Sequence, residues 1–282
     1  ELQKARKIAP DGILGFNIMV AMNHYETYVR KAVETGADFI VSGAGLPLEL
    51  PAMVSDTDIA IAPIVSSARA TALILKYWEK KYHRYPDFIV IEGPEAGGHL
   101  GFSRKQLEEK MDYDMEISEI LKLVRVYEKK AERKIPVAVG GGICDKARAE
   151  HEFMLGADLI QVASRFITTK ECDADSAYKD AYLKAQKEDI VLVSSPVGMP
   201  GRAIRNPFLE HVEKGEVQRP QKCFGCLKHC NPAEIPYCIT EALIHAVKGD
   251  TENGLLFCGA QGFLANQIET VQDVMEDLLG GL

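Results

Sequence analysis

The chain has 282 residues, and its most constraining feature is a regular alternation of short apolar runs with amphipathic stretches. A buried parallel strand is a short, nearly continuous apolar run, because helices cover both faces of its sheet. Helices are predicted between such runs at residues 25–35, 68–82, 115–132 and 146–155. The apolar runs themselves predict six strands, at residues 13–20, 38–42, 59–65, 87–92, 135–139 and 158–163.

Strands that alternate with helices predict an α/β fold with a parallel sheet. An open doubly wound sheet and a closed barrel both produce this pattern, and the length suits a barrel of about 250 residues. A closed (β/α)8 barrel needs two more strands than the sequence shows, and no strand precedes residue 13. We therefore expect a TIM-type (β/α)8 barrel whose first two strands are missing from this chain.

The alternation stops after Phe166, and the sequence beyond it is of a different kind. We predict a barrel with its final helix and loop over residues 1–205, and a cysteine-containing lid or subdomain over residues 206–282. The elements predicted beyond Phe166 are a helix at 175–187, a strand at 190–194, a Gly/Pro-rich loop at 197–202, and helices at 239–247 and 270–279.

Charge and hydropathy exclude several classes of protein. The net charge is −8, so the chain lacks the basic character of a nucleic-acid-binding domain. No apolar run approaches the roughly 18 to 20 residues of a membrane span, and the charged first residues do not form a signal peptide. We expect a cytoplasmic protein that binds neither nucleic acid nor a membrane.

The stretch IEGPEAGGHLG follows a predicted buried strand directly, at the end of the strand where barrel enzymes place their active sites. Gly97 and Gly98 have no side chains, so a flat ligand can approach the backbone closely. His99 adds a titratable group with an ordinary pKa of about 6.5, which suits a general base near neutrality. The alternative is a glycine turn with a solvated histidine.

A second stretch, AVGGGI, also lies between a predicted strand and a predicted helix. The consecutive N–H groups of Gly140, Gly141 and Gly142 at a helix N-terminus favour an anion. Ser164 follows the next predicted strand and adds a hydroxyl donor. No Rossmann GxGxxG or Walker GxxxxGK[ST] motif is present. We therefore predict a phosphate-bearing cofactor or substrate at these loops.

The order of these segments resembles the nitronate monooxygenase family, formerly called 2-nitropropane dioxygenases, which includes FMN-dependent type II enoyl-acyl-carrier-protein reductases. The resemblance covers residues 15–206, and AGGH after a strand is its most specific motif. The segments that carry it are GFNIMV, DFIVSGAGLP, IAPIVSSARA, DFIVIEGPEAGGHLG, IPVAVGGGI, GADLIQVASRF and PVGMPGRAIRN.

The resemblance implies a TIM-type barrel that holds FMN without a covalent link, and it assigns a role to each matching residue. His99 matches the family's active-site base. Two positions, Asn17 and Glu92, correspond to contacts with the flavin or its ribityl chain. The remaining matches divide into contacts with the isoalloxazine, at Ala96, Gly97 and Gly98, and contacts with the phosphate, at Gly140, Gly141, Gly142, Ala163 and Ser164.

The chain departs from the family pattern in two places. Ala163 and Ser164 stand where the family usually has Gly-Thr; the serine keeps the hydroxyl, but the alanine adds a methyl group beside the phosphate. The family also opens with two strands and a Gly-Met-Gly-like turn that touches the flavin, and neither is present here. We expect this segment to belong upstream of Glu1.

The leading hypothesis is an FMN-dependent oxidoreductase that acts on a small molecule. The residues leave two substrates open: an alkyl nitronate oxidised with O₂, and an enoyl thioester reduced with NAD(P)H as the electron donor. Hypotheses of another class are a non-flavin phosphate-binding barrel and a metal- or flavin-binding sensor. A homodimer is also left open.

Four of the seven cysteines, Cys223, Cys226, Cys230 and Cys238, follow the spacing C-x2-C-x3-C-x7-C. Four thiolates suffice for Zn²⁺ or an iron–sulfur cluster, and His229 is an alternative ligand. The other hypothesis is a set of reduced, partly buried thiols.

Two arginines of the PGRAIRN segment also need a role. Arg202 and Arg205 could contact substrate or shape the lid, and a structural salt bridge explains them equally well.

Overall fold

All six predicted strands form in a computed structural model, which describes residues 1–109, 111–220 and 222–281. They make one sheet in the order β1-β2-β3-β4-β6-β7, and the pairs from β1 to β4 are parallel. The strands are β1 (Gly15–Met19), β2 (Phe39–Gly43), β3 (Ala60–Val65), β4 (Ile89–Glu92), β6 (Val137–Gly140) and β7 (Leu159–Gln161).

This strand order decides between the two sheets that the sequence left open. A doubly wound sheet reverses its strand order at a switch point, whereas a barrel-type sheet adds each new strand on the same side. The strands here follow one another in chain order without a reversal. The α/β class and the TIM-type winding are therefore confirmed.

The predicted helices are confirmed with small changes at their ends. Ser67 is the N-cap residue of the long helix α4 (Ala68–Tyr82). Its side-chain oxygen accepts a hydrogen bond from the Ala70 N–H at 3.2 Å. The helix predicted at 175–187 is shorter and ends at Lys184. The helices are α1 (Leu2–Ile8), α2 (Tyr25–Glu34), α3 (Leu50–Met53), α4 (Ala68–Tyr82), α5 (Arg104–Glu108), α6 (Tyr113–Ala131), α7 (Lys146–Leu155), α8 (Ser164–Ile167), α9 (Ser176–Lys184), α10 (Pro207–Glu213), α11 (Ile239–Val247) and α12 (Val271–Leu279).

A second sheet was not predicted. It has three strands, β5 (Gly98–His99), β8 (Ile190–Ser194) and β9 (Pro200–Ile204), in the antiparallel order β5-β9-β8. The loop predicted at 197–202 is therefore wrong over its last residues. A turn over residues 195–199 folds β9 back on β8, and proline is tolerated as the first residue of a strand.

The described chain divides into two compact units. Unit 1 contains residues 1–92, 112–139 and 155–159, and unit 2 contains residues 93–111, 140–154 and 160–282. These divisions differ from the boundary at 205/206, and the lid or subdomain over residues 206–282 stays a prediction. No helix of the described ranges combines the length and apolarity needed to cross a membrane.

The core of unit 1 lies on both faces of its sheet because side chains alternate along a strand. On one face, Ile40, Ile61 and Ile89 pack in a large buried cluster with the helices, which also contains Trp78. The indole N–H of Trp78 donates to the Pro47 carbonyl oxygen at 3.1 Å, so its polar atom is satisfied. The other face carries a smaller buried cluster of Val41, Ala62, Val90 and Ala138.

Two buried clusters lie among the described residues of unit 2. In one cluster, Tyr182 of α9 packs with Leu256 and Cys258. The phenol O–H of Tyr182 donates to the Phe257 carbonyl oxygen. In the other, Val274 and Leu278 of α12 pack against Ile143 and Ala149, together with partly buried side chains around them. Long-range packing of this kind anchors the C-terminal residues to α7.

A buried hydrogen-bond chain in unit 1 gives a stability prediction. The Ser42 hydroxyl donates to the Ile18 carbonyl at 2.7 Å, so the Tyr25 hydroxyl donates to Ser42 Oγ at 2.8 Å. Tyr25→Phe should therefore lower the free energy of unfolding by about 1–2 kcal/mol. Urea titration followed by the fluorescence of Trp78, the only tryptophan, measures it. Tyr28→Phe is the matched control because Tyr28 is exposed on the same helix; equal losses in the two variants would contradict the prediction.

Candidate active site

His99 lies on a strand rather than in the loop that its sequence predicted. Glu92 ends β4, and the chain then turns through glycine-rich sequence into β5. In the antiparallel ladder His99 stands opposite Gly201 and Gly98 opposite Arg202. The Leu100 N–H extends the pairing by donating to the Pro200 carbonyl at 2.8 Å. Backbone pairing to β9 therefore holds the histidine in place.

The imidazole of His99 has two neighbours in unit 2. Its Nε2 lies 2.7 Å from Oγ of Ser195, and its ring meets the Phe257 ring edge-on with centroids 5.0 Å apart. Burial lowers the pKa of His99, because the charged imidazolium loses its hydration. The ring is consequently neutral around pH 7 and able to accept a proton.

Gly97 is needed for a reason that the sequence did not reveal. A Cβ at position 97 would lie 2.5 Å from the carbonyl carbon of Cys258 and 2.6 Å from the nitrogen of Gly259. The backbone of a distant segment therefore fills the space on this side of the glycine. Gly98 has φ +72°, a left-handed conformation that glycine adopts without strain.

That distant segment, residues 257–260, joins three parts of the site. The Cys258 N–H donates to the Arg202 carbonyl at 3.1 Å, and the Ala260 N–H donates to the Glu95 carbonyl at 2.9 Å. Between them, the Gly259 N–H donates to Oγ of Ser164 at 2.9 Å. Cys258 is buried, and nothing in the sequence pointed to its neighbours as part of the site.

Arg202 is buried, and it points at the glycine-rich loop. Its Nη1 donates to the Ala96 carbonyl oxygen at 2.5 Å. It has no carboxylate within ion-pair distance among the residues that the structure describes. The salt-bridge hypothesis is thus correct for Arg205, which pairs with Glu213 at 3.1 Å, but not for Arg202. Arg202 instead fixes the loop that precedes His99.

The three glycines at the end of β6 have separate roles. Gly140 still belongs to the strand, and its carbonyl accepts a hydrogen bond from the Gly93 N–H at 2.8 Å. Gly141 and Gly142 have φ +110° and +76°, which side-chain-bearing residues rarely adopt. Neither of their N–H groups has a hydrogen-bond partner in the described part of the chain. Two half-buried, unpartnered donors are what an anion requires.

Glu95 and Arg148 flank this glycine turn, and the sequence analysis missed both. A Cβ at Gly142 would lie 2.0 Å from Oε2 of Glu95, so the carboxylate packs directly on the glycine. Nη2 of Arg148 holds the same oxygen at 2.9 Å, while the buried Nε of Arg148 has no partner in the described ranges. No local pattern could pair these residues, which are 53 positions apart.

Ala163 and Ser164 begin α8. Ala163 is the N-cap residue of this short helix, and its side chain offers no cap hydrogen bond. The Ser164 hydroxyl accepts from Gly259, which leaves its own proton for another acceptor. Within unit 2, the structure therefore brings together the residues predicted around His99, the glycine turn and the start of α8.

Two predicted cofactor residues belong to unit 1. Asn17 is exposed on β1, opposite Val41, and lines a cavity of about 280 Å³ together with Tyr28 and Lys31. Glu92 is the last residue of β4, and burial raises its pKa to about 7. Their roles toward a cofactor stay predictions.

The cysteine cluster is only partly assembled. Cys223 is exposed, Cys226 and Cys230 are half-buried, and Cys238 is buried. Burial raises the pKa of Cys230, and the other three thiols act in the same direction, so the four are electrostatic neighbours. In the described ranges, no three His, Cys, Asp or Glu side chains are placed to hold a metal ion.

The strand order defines a barrel-type α/β protein, and its glycine turn carries two N–H groups without a partner in the described part of the chain. A family model described as "Nitronate monooxygenase" matches residues 1–281. The chain therefore belongs to the nitronate monooxygenase family. Proteins of this family are oxidoreductases.

Curated relatives match part of the chain. A probable nitronate monooxygenase of Staphylococcus aureus (strain Newman) is 31% identical over 134 residues, which are 48% of this chain and 36% of that protein. A probable nitronate monooxygenase of Staphylococcus saprophyticus is 28% identical over the same length. The matched region thus spans about a third of the length of these relatives.

Solved structures match most of the chain. FabK from Thermotoga maritima has a TM-score of 0.75 and 25% identity, covering 99% of this chain and 79% of that one. Nitroalkane oxidase from Streptomyces ansochromogenes has a TM-score of 0.66 and 19% identity, covering 90% and 67%. At that identity the second likeness shows the fold alone.

Proposed function

We propose that the protein is an FMN-dependent oxidoreductase that acts as a nitronate monooxygenase, with His99 as the active-site base. The observation that carries the proposal is a histidine with a lowered pKa, held by backbone pairing and packed in one unit with an unsatisfied anion site. Family membership supplies the reaction class, and the geometry of unit 2 supports the residue.

The residues present fit the phosphate of FMN. The free N–H groups of Gly141 and Gly142 offer donors, and the Ser164 hydroxyl keeps a proton to donate. FMN, when bound, supplies a ring that accepts and returns electrons. The unit 2 residues that would hold it are Ala96, Gly97, Gly98, Gly140, Gly141, Gly142, Ala163 and Ser164, as the family resemblance assigns them. The same resemblance assigns Asn17 and Glu92 of unit 1 to the flavin or its ribityl chain, and these two roles stay predictions.

His99 supplies the acid–base chemistry. In a nitroalkane the C–H bond next to the nitro group breaks, the electron pair stays on the nitronate, and the proton moves to the neutral imidazole. Since burial lowers the pKa of His99, the base form persists to lower pH than in free histidine. Activity should be constant above that pKa and fall as the pH drops through it.

A second candidate is an NAD(P)H-dependent enoyl thioester reductase. The likeness to FabK over 99% of this chain favours it. In that reaction His99 would stand near the thioester carbonyl or donate a proton, rather than remove one.

Two measurements separate the candidates. Oxygen uptake with propyl-2-nitronate, without a nicotinamide, is expected for the proposed function and would exclude the reductase. Rapid anaerobic bleaching of the flavin by NADH or NADPH, with turnover of a crotonyl thioester, would overturn the proposal. A colourless protein as purified would remove flavin chemistry and favour a non-flavin barrel.

His99→Ala tests the base directly. The variant should keep FMN, because the phosphate donors are unchanged, but lose about 10²-fold or more of kcat. Flavin absorbance measures the first effect, and steady-state turnover of a neutral nitroalkane, which still carries the C–H proton, measures the second. His211→Ala is the control, since His211 is an exposed histidine of the same unit whose ring bonds to Glu216. Unchanged turnover in His99→Ala would refute the assignment.

Arg148→Met tests the charges beside the glycine turn. The change leaves the Glu95 carboxylate without its partner next to Gly142, so it should repel the phosphate and weaken FMN binding on the order of tenfold. Quenching of flavin fluorescence measures the dissociation constant. Adding Glu95→Gln to Arg148→Met should restore most of the lost affinity for FMN. Lys146→Met removes a cation from the same helix and controls for net charge; an equal loss there would contradict the prediction.

Zn²⁺ or an iron–sulfur cluster at Cys223, Cys226, Cys230 and Cys238 stays a prediction, as do the homodimer and the use of NAD(P)H. The electrostatic proximity of the four thiols supports the metal, and the absence of a ligating group of three among the described residues counts against it. Metal analysis of protein purified without oxygen decides between a metal centre and free thiols.

A further inference from the structure

The turn that joins β8 to β9 presents one side chain to His99. Ser195 is held in this turn because its N–H donates to the Met199 carbonyl at 3.4 Å and its own carbonyl accepts from the Gly198 N–H at 3.0 Å. Its hydroxyl lies 2.7 Å from Nε2 of His99. The resemblance to known families assigns nothing to this serine.

We infer that Ser195 is the positioning residue of His99: its hydroxyl receives the Nε2–H of the neutral imidazole and leaves Nδ1 as the atom that takes the proton of the substrate. The inference rests on the proposed role of His99 as a base. A ring whose Nδ1 already carried the proton could not act as a base at that atom.

The hydrogen bonds of the serine support this assignment. Oγ of Ser195 already accepts the Val197 N–H at 3.3 Å, which orients the oxygen, and it has a second lone pair for a donor from the histidine. Nδ1 of His99 has no hydrogen-bond partner in the described part of the chain. Of the two ring nitrogens, Nδ1 is thus the one free to meet a substrate.

Of the groups around the imidazole of His99, Ser195 has the main effect on which ring nitrogen carries the proton. Phe257 packs edge-on against the imidazole and limits its tilt but offers no acceptor. Two titratable groups lie on the elements packed against β5. Arg202 on β9 stays protonated and is turned to the Ala96 carbonyl, and burial raises the pKa of Cys258 to about 12, so that thiol stays neutral. Neither can accept a proton from Nε2.

A neutral hydroxyl also sets the strength of the base. A carboxylate at Nε2 would stabilise the imidazolium by charge, whereas a hydroxyl stabilises it only by a hydrogen bond. Ser195 therefore fixes the orientation of His99 without adding a counter-charge. This arrangement suits substrates whose C–H is already acidic, such as nitroalkanes, better than unactivated carbon acids.

The test is Ser195→Ala, studied as the full chain as purified. Long-range ¹H–¹⁵N spectra should show a protected Nε2–H on His99 in the wild-type protein and its loss in the variant. The value of kcat should fall about tenfold with KM within about twofold. The acid limb of the pH profile should move to lower pH by roughly half a unit, because the imidazolium loses a hydrogen bond.

Two further variants make the test specific. Ser195→Thr keeps a hydroxyl and should restore the Nε2–H signal and most of kcat. Ser194→Ala is the control, since its exposed side chain is next in sequence and makes no hydrogen bond in the described part of the chain, while its backbone carbonyl accepts from the Tyr237 hydroxyl at 3.2 Å. This control should behave as the wild-type protein does.

The inference is overturned if the Nε2–H of His99 exchanges freely in the wild-type protein, if Ser195→Ala keeps the signal, kcat and acid limb, or if Ser195→Thr is as impaired as Ser195→Ala. Failure of the proposed function would show elsewhere, as a protein without flavin or without nitronate turnover. The ¹H–¹⁵N spectra of His99 require neither bound flavin nor turnover of a substrate. Failure of this inference is therefore distinguishable from failure of the proposed function.

Discussion

Contact between two backbones at Gly97 is the constraint on which the rest of the site in unit 2 depends. The peptide group between Cys258 and Gly259 lies where a side chain at position 97 would begin. Only glycine at position 97 therefore lets these two segments of the chain come into contact. Once they meet, the segment 257–260 hydrogen-bonds to Glu95, Ser164 and Arg202. The ring of Phe257 is then placed against His99.

Charge in this unit is distributed so that the histidine stays neutral. Arg202 is buried, and its guanidinium donates a hydrogen bond to the Ala96 carbonyl oxygen. At the glycine turn, the carboxylate of Glu95 is paired with Arg148. The groups that touch His99 are a hydroxyl and a phenyl ring. The neutral ring of His99 and the two glycine N–H groups that have no partner among the described residues therefore lie in one unit, where Arg148 balances the carboxylate beside the glycines.

Local patterns predicted much of the fold, because the spacing of apolar residues differs between strands and helices. The six strands of the parallel sheet and the long helices are at the predicted positions. The pattern failed where an element is too short to have a period. Gly98–His99 is a two-residue strand made only by its pairing to β9, and Pro200 opens a strand inside a predicted loop.

The site divides in the same way. The sequence by itself determined which residues have the chemistry: a histidine after two glycines, a run of three glycines between a strand and a helix, and a serine at the start of the next helix. Only the tertiary structure decided what each one does, because Ser195, Arg202, Glu95 and Arg148 reach their partners across 53 to 106 residues of chain. No local spacing encodes such contacts. They arise when packing brings distant segments together. This packing leaves Nε2 of His99 beside Ser195, and it leaves two glycine N–H groups without a partner in the described part of the chain.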